Sequence, residues 1–451
     1  MPLPQIREIR IKGYKSLADE TSLEIRPLTI IAGANSSGKS SVMQPLLLLK
    51  QTLASPSDSE SLQIAGPNVA FTNYKQMLYQ CAGNKKPAKK ISIGFTLEWE
   101  THFHKVNLSY SLTDSGLVLD RQLVESGNDE ENPTKIDLTP GNLSDSALLD
   151  LPRHLQNMLN SMGDAQRENY TFHAKPSRGL MELMLAHKER RMSNFRLGNF
   201  MLAADEATRE MLLNIIHIPG LRGNPERDYP LRKTKGPRFD GHFQDYVAGI
   251  IAYWKETPMG KHKLTQLSQV LQTLGLTWKV EARTLDDTRV EIVVGRLKKA
   301  KQGGAKDVVN IADVGFGVSQ ILPALVAMIV AEKNQMVYLE QPEIHLHPRA
   351  QKNLANVLAE AAKKKKCLVV ETHSSILIRG IQTLVAKGEL PPELVKLHWF
   401  SQDENTGATR VNSADLDENG AFGADWPEDF DDTYLESERD YLDAVEARYQ
   451  A

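Results

Sequence analysis

Cysteine is almost absent from the 451-residue chain: only Cys81 and Cys367 occur, far apart and outside any CxxC spacing. Neither a disulfide framework nor a cysteine-based zinc site is therefore indicated. Long apolar runs are missing too, and none approaches the ~20 residues that a membrane-crossing helix needs. The first residues show no secretory leader pattern. A soluble, cytoplasmic protein is the expectation. Charge of one sign is lacking as well, with 54 Lys and Arg against 57 Asp and Glu and a formal net charge of −3. No overall basic field advertises nucleic acid or an anionic membrane, so any such contact has to be a local patch. Sustained a/d heptads are absent from the middle of the chain, which argues against a long coiled-coil arm. No internal repeat is visible.

What is present is ordinary globular material, 41% hydrophobic and 25% charged, with ample length for a core. Residues 6 to 33 alternate like two or three strands, ending in the fully apolar "LTIIAGA". A helix is expected from Ser40, carrying Val42, Leu46, Leu47 and Leu49. Between 90 and 125 the period is two, as in an antiparallel sheet. From 145 to 275 the pattern reads as mostly helical, broken by a Pro/Gly/Arg-rich stretch at 218–237. Two strands then flank a turn at Asp286–Asp287. Helix after Ser319, strand 336–340, helix 348–362, strand 367–372 and helix 374–388 form a βαβ alternation suited to a parallel sheet. A final strand pair leads into an acidic tail. The expected division is an N-terminal lobe over 1–140, a mainly helical insertion over 141–275, a C-terminal lobe over 276–402 and a tail domain over 403–451.

"GANSSGKS", Gly33 to Ser40, matches the phosphate-binding pattern G-x-x-x-x-G-K-[ST], with an apolar strand before it and an apolar helix after it. Backbone N–H groups of Asn35, Ser36, Ser37, Ser40 and Ser41 are candidates to wrap phosphates at the positive end of the helix. Lys39 is the candidate for the β/γ oxygens and Ser40 for Mg²⁺. Gly33 and Gly38 permit backbone angles and close approaches that a side chain blocks. Such a loop needs an acid at the end of a neighbouring strand. "MVYLEQPEIHLHP" (336–348) offers Glu340, followed by Gln341 where a second carboxylate is usual. "CLVVETHSS" (367–375) is another buried strand, running into Thr372, His373 and Ser374, and "DVGFGVSQ" (313–320) is a glycine turn that opens a helix.

These pieces, together with "GYKSL", "HIPGLRGNPERDY" and "DENGAFGADWP", resemble the RecF/SMC/OLD-like branch of ABC-type ATPases. More narrowly they resemble a bacterial AAA-labelled family with a short C-terminal domain of unknown function. The resemblance spans most of the chain and implies an α/β ABC-ATPase head with mixed antiparallel and parallel sheets. It also implies ATP and Mg²⁺ as cofactors and a dimer, or a higher even-numbered assembly, that sandwiches two ATPs. Each nucleotide would lie between the P-loop of one subunit and the Gly315–Gln320 signature of the other. Gly317 and Ser319 would then approach the γ-phosphate in trans, with His373 sensing it in cis. Glu340 would serve Mg²⁺ directly or through water, Gln341 would hold the attacking water, and Glu343 is a spare base or a cap of the following turn. Gln76 falls where a residue touching Mg²⁺ and water is sought, and Lys15 and Ser16 where nucleotide contacts are sought.

His345 and His347, two apart, favour packing over a metal pair. Arg222 and Arg227 suggest a structural ion pair. Of the basic stretches at 188–191, 296–306 and 363–366, the glycine-bearing loop 296–306 is the DNA-contact candidate. About 75 residues follow "ETHS", fewer than a TOPRIM nuclease domain is expected to need, and no HNH motif occurs. Any nuclease activity is therefore expected in a partner. Three readings remain: a slow ATPase that gates a separate effector in anti-phage defence, a RecF-like DNA-binding repair ATPase, and a non-hydrolysing ATP-binding interaction protein.

Overall fold

In a computed structural model, residues 3–57, 59–80, 87–99, 102–144, 150–151, 153–161, 170–187, 203–232, 236, 238–299, 307–423, 439 and 442–443 are described. Two six-stranded sheets dominate. The first is antiparallel and contains β1 (Gln5–Lys12), β2 (Thr21–Glu24), β4 (Lys90–Trp99), β5 (His102–Thr113), β6 (Gly116–Gly127) and β7 (Thr134–Leu138), in the order β2-β1-β4-β5-β6-β7. The second has the order β11-β16-β17-β3-β18-β19. Its members are β3 (Leu28–Gly33), β11 (Ile216–Ile218), β16 (Met336–Glu340), β17 (Cys367–Glu371), β18 (Val395–Gln402) and β19 (Thr409–Ala414). All its pairings are parallel except the edge pair β18–β19. Smaller sheets are built from β8 (Gly141–Asn142), β9 (Tyr170–Ser177) and β10 (Leu180–His187), and from β12 (Tyr229–Pro230), β13 (Val280–Thr284), β14 (Arg289–Gly295) and β15 (Val308–Asn310).

The helices are α1 (Lys39–Ala54), α2 (Arg153–Asn160), α3 (Ala203–Leu213), α4 (Val247–Glu256), α5 (Pro258–Thr273), α6 (Phe316–Val330), α7 (Pro348–Lys363) and α8 (Ser375–Ala386). The central parallel strands β3, β16 and β17 are mostly apolar up to their C-terminal ends because helices or the other sheet cover both faces. Ile30, Val337, Leu339, Leu368 and Val370 face one core with α6, α7 and α8. Ile31, Tyr338 and Val369 alternate to the other face and meet α1 and the antiparallel sheet. The mixed α/β architecture with antiparallel and parallel sheets is the one the sequence implies.

Residues 141–275 depart from the helical reading. Residues 170–187 form a hairpin, turned at Arg178 and Gly179 with φ of +47° and +84°. Two consecutive positive φ values match the tight hairpin turns that follow strand twist. Ile216–Ile218 joins the parallel sheet beside β16, and Ile251, Trp254, Leu267 and Leu271 share one core with Ile30 and Val337. That part of the segment is integral to the head. The stretch 188–191, residues 300–306 of the basic loop, Cys81 and most of the acidic 415–440 tail lie outside the described residues.

Candidate functional site

The loop between β3 and α1 borders an open cleft of about 430 Å³. Lys15, Asn35, Ser36, Gly38, Lys39, Ser40, Ser41, Gln341, Glu371 and His373 are among its lining residues. The glycines are required where they stand. Gly33 has φ of +143°, and a Cβ there would sit 2.1 Å from the Phe400 carbonyl oxygen of the neighbouring strand. Gly38 has φ of +94°, and its Cβ would meet Thr409 Oγ1 at 2.2 Å. Thr409 ties the loop down: its hydroxyl donates to the Ser37 carbonyl (2.8 Å) and contacts the Ser16 hydroxyl (2.8 Å). α1 begins without a capping side chain and without an acid in its first turn, so its amides and positive end are available to an anion.

Lys39 is buried at 4% exposure and donates to the carbonyls of Gly33 (3.1 Å) and Ala34 (2.6 Å). Burial holds its pKa below the usual lysine value, partly offset by Glu371. His373 is also held below the ordinary histidine value, by desolvation first and by Lys39 second. Burial is the first cause of both shifts, and the Lys39 ammonium adds to it only at His373; an anion in the cleft would favour both charged forms. Lys15 donates to Gln44 Oε1 (2.6 Å) at the cleft margin and lies 4.8 Å from the Phe71 ring centre. Lys15, Ser36 and Gln341 all have positive φ (+49°, +61° and +44°) and all line this cleft. Left-handed backbone at non-glycine residues costs about 1–3 kcal/mol each and clusters where a site needs it.

Gln341 therefore faces the cleft, its N–H donating to the Glu371 carbonyl (2.7 Å). Glu340, expected at the metal, is turned elsewhere. His217 Nε2 lies 3.0 Å from its Oε1 and the Gly220 N–H donates to its Oε2 at 2.9 Å. Burial pushes the Glu340 pKa up, but His217, Gly220 and Tyr338 outweigh it and hold the carboxyl below its ordinary value. The acid that meets Ser40 is Glu371, which accepts from the Ser40 hydroxyl at 3.0 Å and from the Tyr338 hydroxyl at 2.8 Å. Burial, and then the Glu340 carboxylate, raise its pKa.

Glu343, read as a spare base or a cap of the following turn, is buried and does not line the cleft. It accepts from the Thr372 hydroxyl (2.5 Å) and the His373 N–H (3.2 Å), so it positions the histidine backbone. Its other oxygen is buried without a partner, and burial raises its pKa. Gln76 is exposed and closes on Thr72 through two hydrogen bonds of 3.1 Å, so it does not reach the cleft. Gly317 and Ser319 sit in the first turn of α6, outside their own cleft, with the Ser319 hydroxyl donating to the Phe316 carbonyl (3.0 Å). The His347 side chain caps α7 and the His345 ring lies 6.0 Å from that of Phe316, in line with packing roles. Among the described residues no group of three or more His, Cys, Asp or Glu could hold a metal unaided.

Arg227 does form an ion pair, with Asp313 at 2.8 Å. Arg222 does something else: its half-buried guanidinium donates to the carbonyls of Gln320 (3.0 Å) and Glu340 (2.8 Å), and reaches that of Gln341 at 3.4 Å. Gln320 answers by donating to the Gly223 carbonyl at 3.0 Å. The glycine-signature helix and the end of β16 are thus clamped by one side chain. His217, Gly220 and Glu371 were missed by the motif reading, since their roles arise from pairing between distant strands.

A family model described as an AAA ATPase domain matches residues 5–195 and 248–378. Solved structures similar to this chain include an SMC head bound to the C-terminal winged-helix domain of ScpA, at 14% identity and TM-score 0.48, covering 92% of this chain and 99% of that one. An SMC head domain from Thermotoga maritima is similar at 11% identity and TM-score 0.41, covering 90% and 98%. One from Pyrococcus furiosus, with an extended coiled coil and bound to the C-terminal domain of ScpA, is similar at 13% identity and TM-score 0.45, covering 98% and 100%. No curated protein matches.

Proposed function

The chain belongs to the AAA ATPase domain family, and from that premise we propose that it is a slow, magnesium-dependent ATPase working as a nucleotide-gated switch. The observation that carries this reading is the single cleft where Lys39, Ser40, Gln341 and His373 converge on the N-terminus of α1. Bound Mg²⁺ would supply charge neutralisation at the phosphates. Ser40 and a buried carboxylate are a fitting donor set, since Mg²⁺ is usually held by one or two protein groups plus phosphates and water. Lys39 would leave the loop carbonyls for the β/γ oxygens, and His373 would face the terminal phosphate.

Slow turnover follows from what stands at the water position. Gln341 can orient water through its amide oxygen but cannot take its proton. Both oxygens of Glu340 and one of Glu343 are engaged by other donors, and neither residue lines the cleft. A positioned base contributes ~10²–10⁴-fold, so electrostatics and positioning alone leave a long-lived ATP state. The signature residues Gly317 and Ser319 lie away from their own cleft, which supports a second copy supplying them across an ATP-bridged dimer or a higher even-numbered assembly. Such an assembly suits a protein whose output is a conformation read by a separate effector, in the setting of anti-phage defence. Light scattering with ATP and Mg²⁺ tests the assembly directly. A dimer or an even multiple is the expected result, and a monomer at micromolar concentration with saturating nucleotide contradicts the reading.

A further inference from the structure

The two acids at the end of the parallel sheet, half-buried Glu340 and buried Glu371, divide their work in an unexpected way. Glu340 on β16 and Glu371 on β17 are direct neighbours in the parallel ladder, and Glu371 in turn pairs with Ile31 of the P-loop strand. Because β17 lies between β16 and β3, Glu371 is one strand spacing, roughly 4.8 Å, nearer the phosphate loop than Glu340 is. Only Glu371 lines the cleft. Its Oε1 accepts from Ser40 and its Oε2 from Tyr338, which fixes the carboxylate plane toward the loop. Glu340 has each oxygen taken by a donor from the other side, His217 Nε2 and the Gly220 N–H. The His217 ring is stacked on Tyr338 with centres 5.3 Å apart, which holds that arrangement against the strand.

We propose that Glu371, and not Glu340, is the carboxylate that completes the divalent-metal site with Ser40 when nucleotide is bound. Glu340 is then a structural acceptor that seats residues 217–222, including Arg222, against the sheet. Tyr338 is a positioning residue for Glu371. This inference rests on the nucleotide reading above.

The test is metal binding rather than turnover, with Mn²⁺ as the probe and its paramagnetic resonance signal as the readout. Wild type, Glu371→Gln, Glu371→Asp, Tyr338→Phe and Glu340→Gln are titrated with Mn²⁺ in the presence of ATP. Each is also titrated with fluorescent ATP in EDTA. Removing a carboxylate that orients a metal site costs about 10–100-fold in metal affinity, so Glu371→Gln is expected to lose that much. Glu371→Asp and Tyr338→Phe are expected to fall between it and wild type. Glu340→Gln should lower thermal stability while keeping Mn²⁺ affinity within about threefold of wild type, well short of that loss. ATP binding without metal should be retained by all. Wild-type Mn²⁺ affinity in Glu371→Gln, or a larger loss in Glu340→Gln than in Glu371→Gln, overturns the assignment while leaving the nucleotide site intact. Should Glu371→Gln not fold, the Asp and Phe variants decide by the same ordering. A wild-type protein that binds no ATP removes the nucleotide reading and this assignment together.

Discussion

Replacing Arg222 by alanine removes the clamp between α6 and the end of β16. Two of its hydrogen bonds are short, 3.0 Å to the Gln320 carbonyl and 2.8 Å to the Glu340 carbonyl. Bonds from a charged donor contribute about 1.5–3 kcal/mol each. The lower end applies here, because burial pushes the guanidinium pKa down to about 10 and the Nε atom is buried without a partner. The sum is about 3 kcal/mol, a large share of the stability of an ordinary domain. Lysine at the same position keeps the charge, but a single ammonium lacks the fork that spans both carbonyls. Arg222→Lys should therefore lose about half as much, roughly 1.5 kcal/mol. Equilibrium urea unfolding gives the global change, and hydrogen exchange at residues 316–322 and 338–343 locates it. Faster exchange in both segments together, with ATP affinity retained and turnover reduced, is the expected pattern. A stability change under about 0.5 kcal/mol, the range of an ordinary surface substitution, would refute the clamp.

Two further outcomes follow from the same geometry. Gln341→Glu places a proton acceptor at the cleft and should raise phosphate release by about 10²-fold, the low end of a positioned base; an unchanged rate shows that water activation is not limiting. Stability should also fall as the solution is acidified. His398 is fully buried and neutral, with Nε2–H donating to the Glu24 carbonyl (2.8 Å) and Nδ1 paired with the Ser413 hydroxyl (2.7 Å). Burial, chiefly, lowers its pKa to about 4. Between the unfolded value near 6.5 and about 4 the unfolded chain binds a proton that the fold refuses. Stability is thus fully present above about 6.5 and decreases by about 3 kcal/mol as pH falls through that window. His398→Gln should flatten that part of the profile in urea titrations, and an unaltered profile contradicts the assignment.

The parallel half of the fold was legible in the sequence because burial on both faces leaves short, wholly apolar strands. "MVYL" and "CLVV", each followed by an amphipathic helix, have few other readings. The P-loop was legible because Gly33 and Gly38 answer to local backbone geometry. The hairpin at 170–187 was hidden by Met, Leu, Glu and Ala in β10, residues that favour helices. Its one local signal was Arg178–Gly179, where the chain reverses. Glu371 was hidden for another reason. Nothing within "ETHS" says that its acid meets a serine 331 positions earlier, a fact fixed only by β17 inserting between β16 and β3. Glu340 reads as a metal acid because its strand is otherwise apolar, and the sequence does not show that the pairing of β11 with β16 brings His217 and Gly220 to its two oxygens.

Calorimetric titration of ATP with Mg²⁺ into wild type and Lys39→Ala tests the central claim most directly. Lys39 is the buried ammonium at the phosphate loop, and its removal leaves that loop without a mobile cation for the β/γ oxygens. Saturable binding by the wild type and none by the variant, with both equally folded by circular dichroism, is the predicted result. Equal ATP affinity in the two proteins would contradict it.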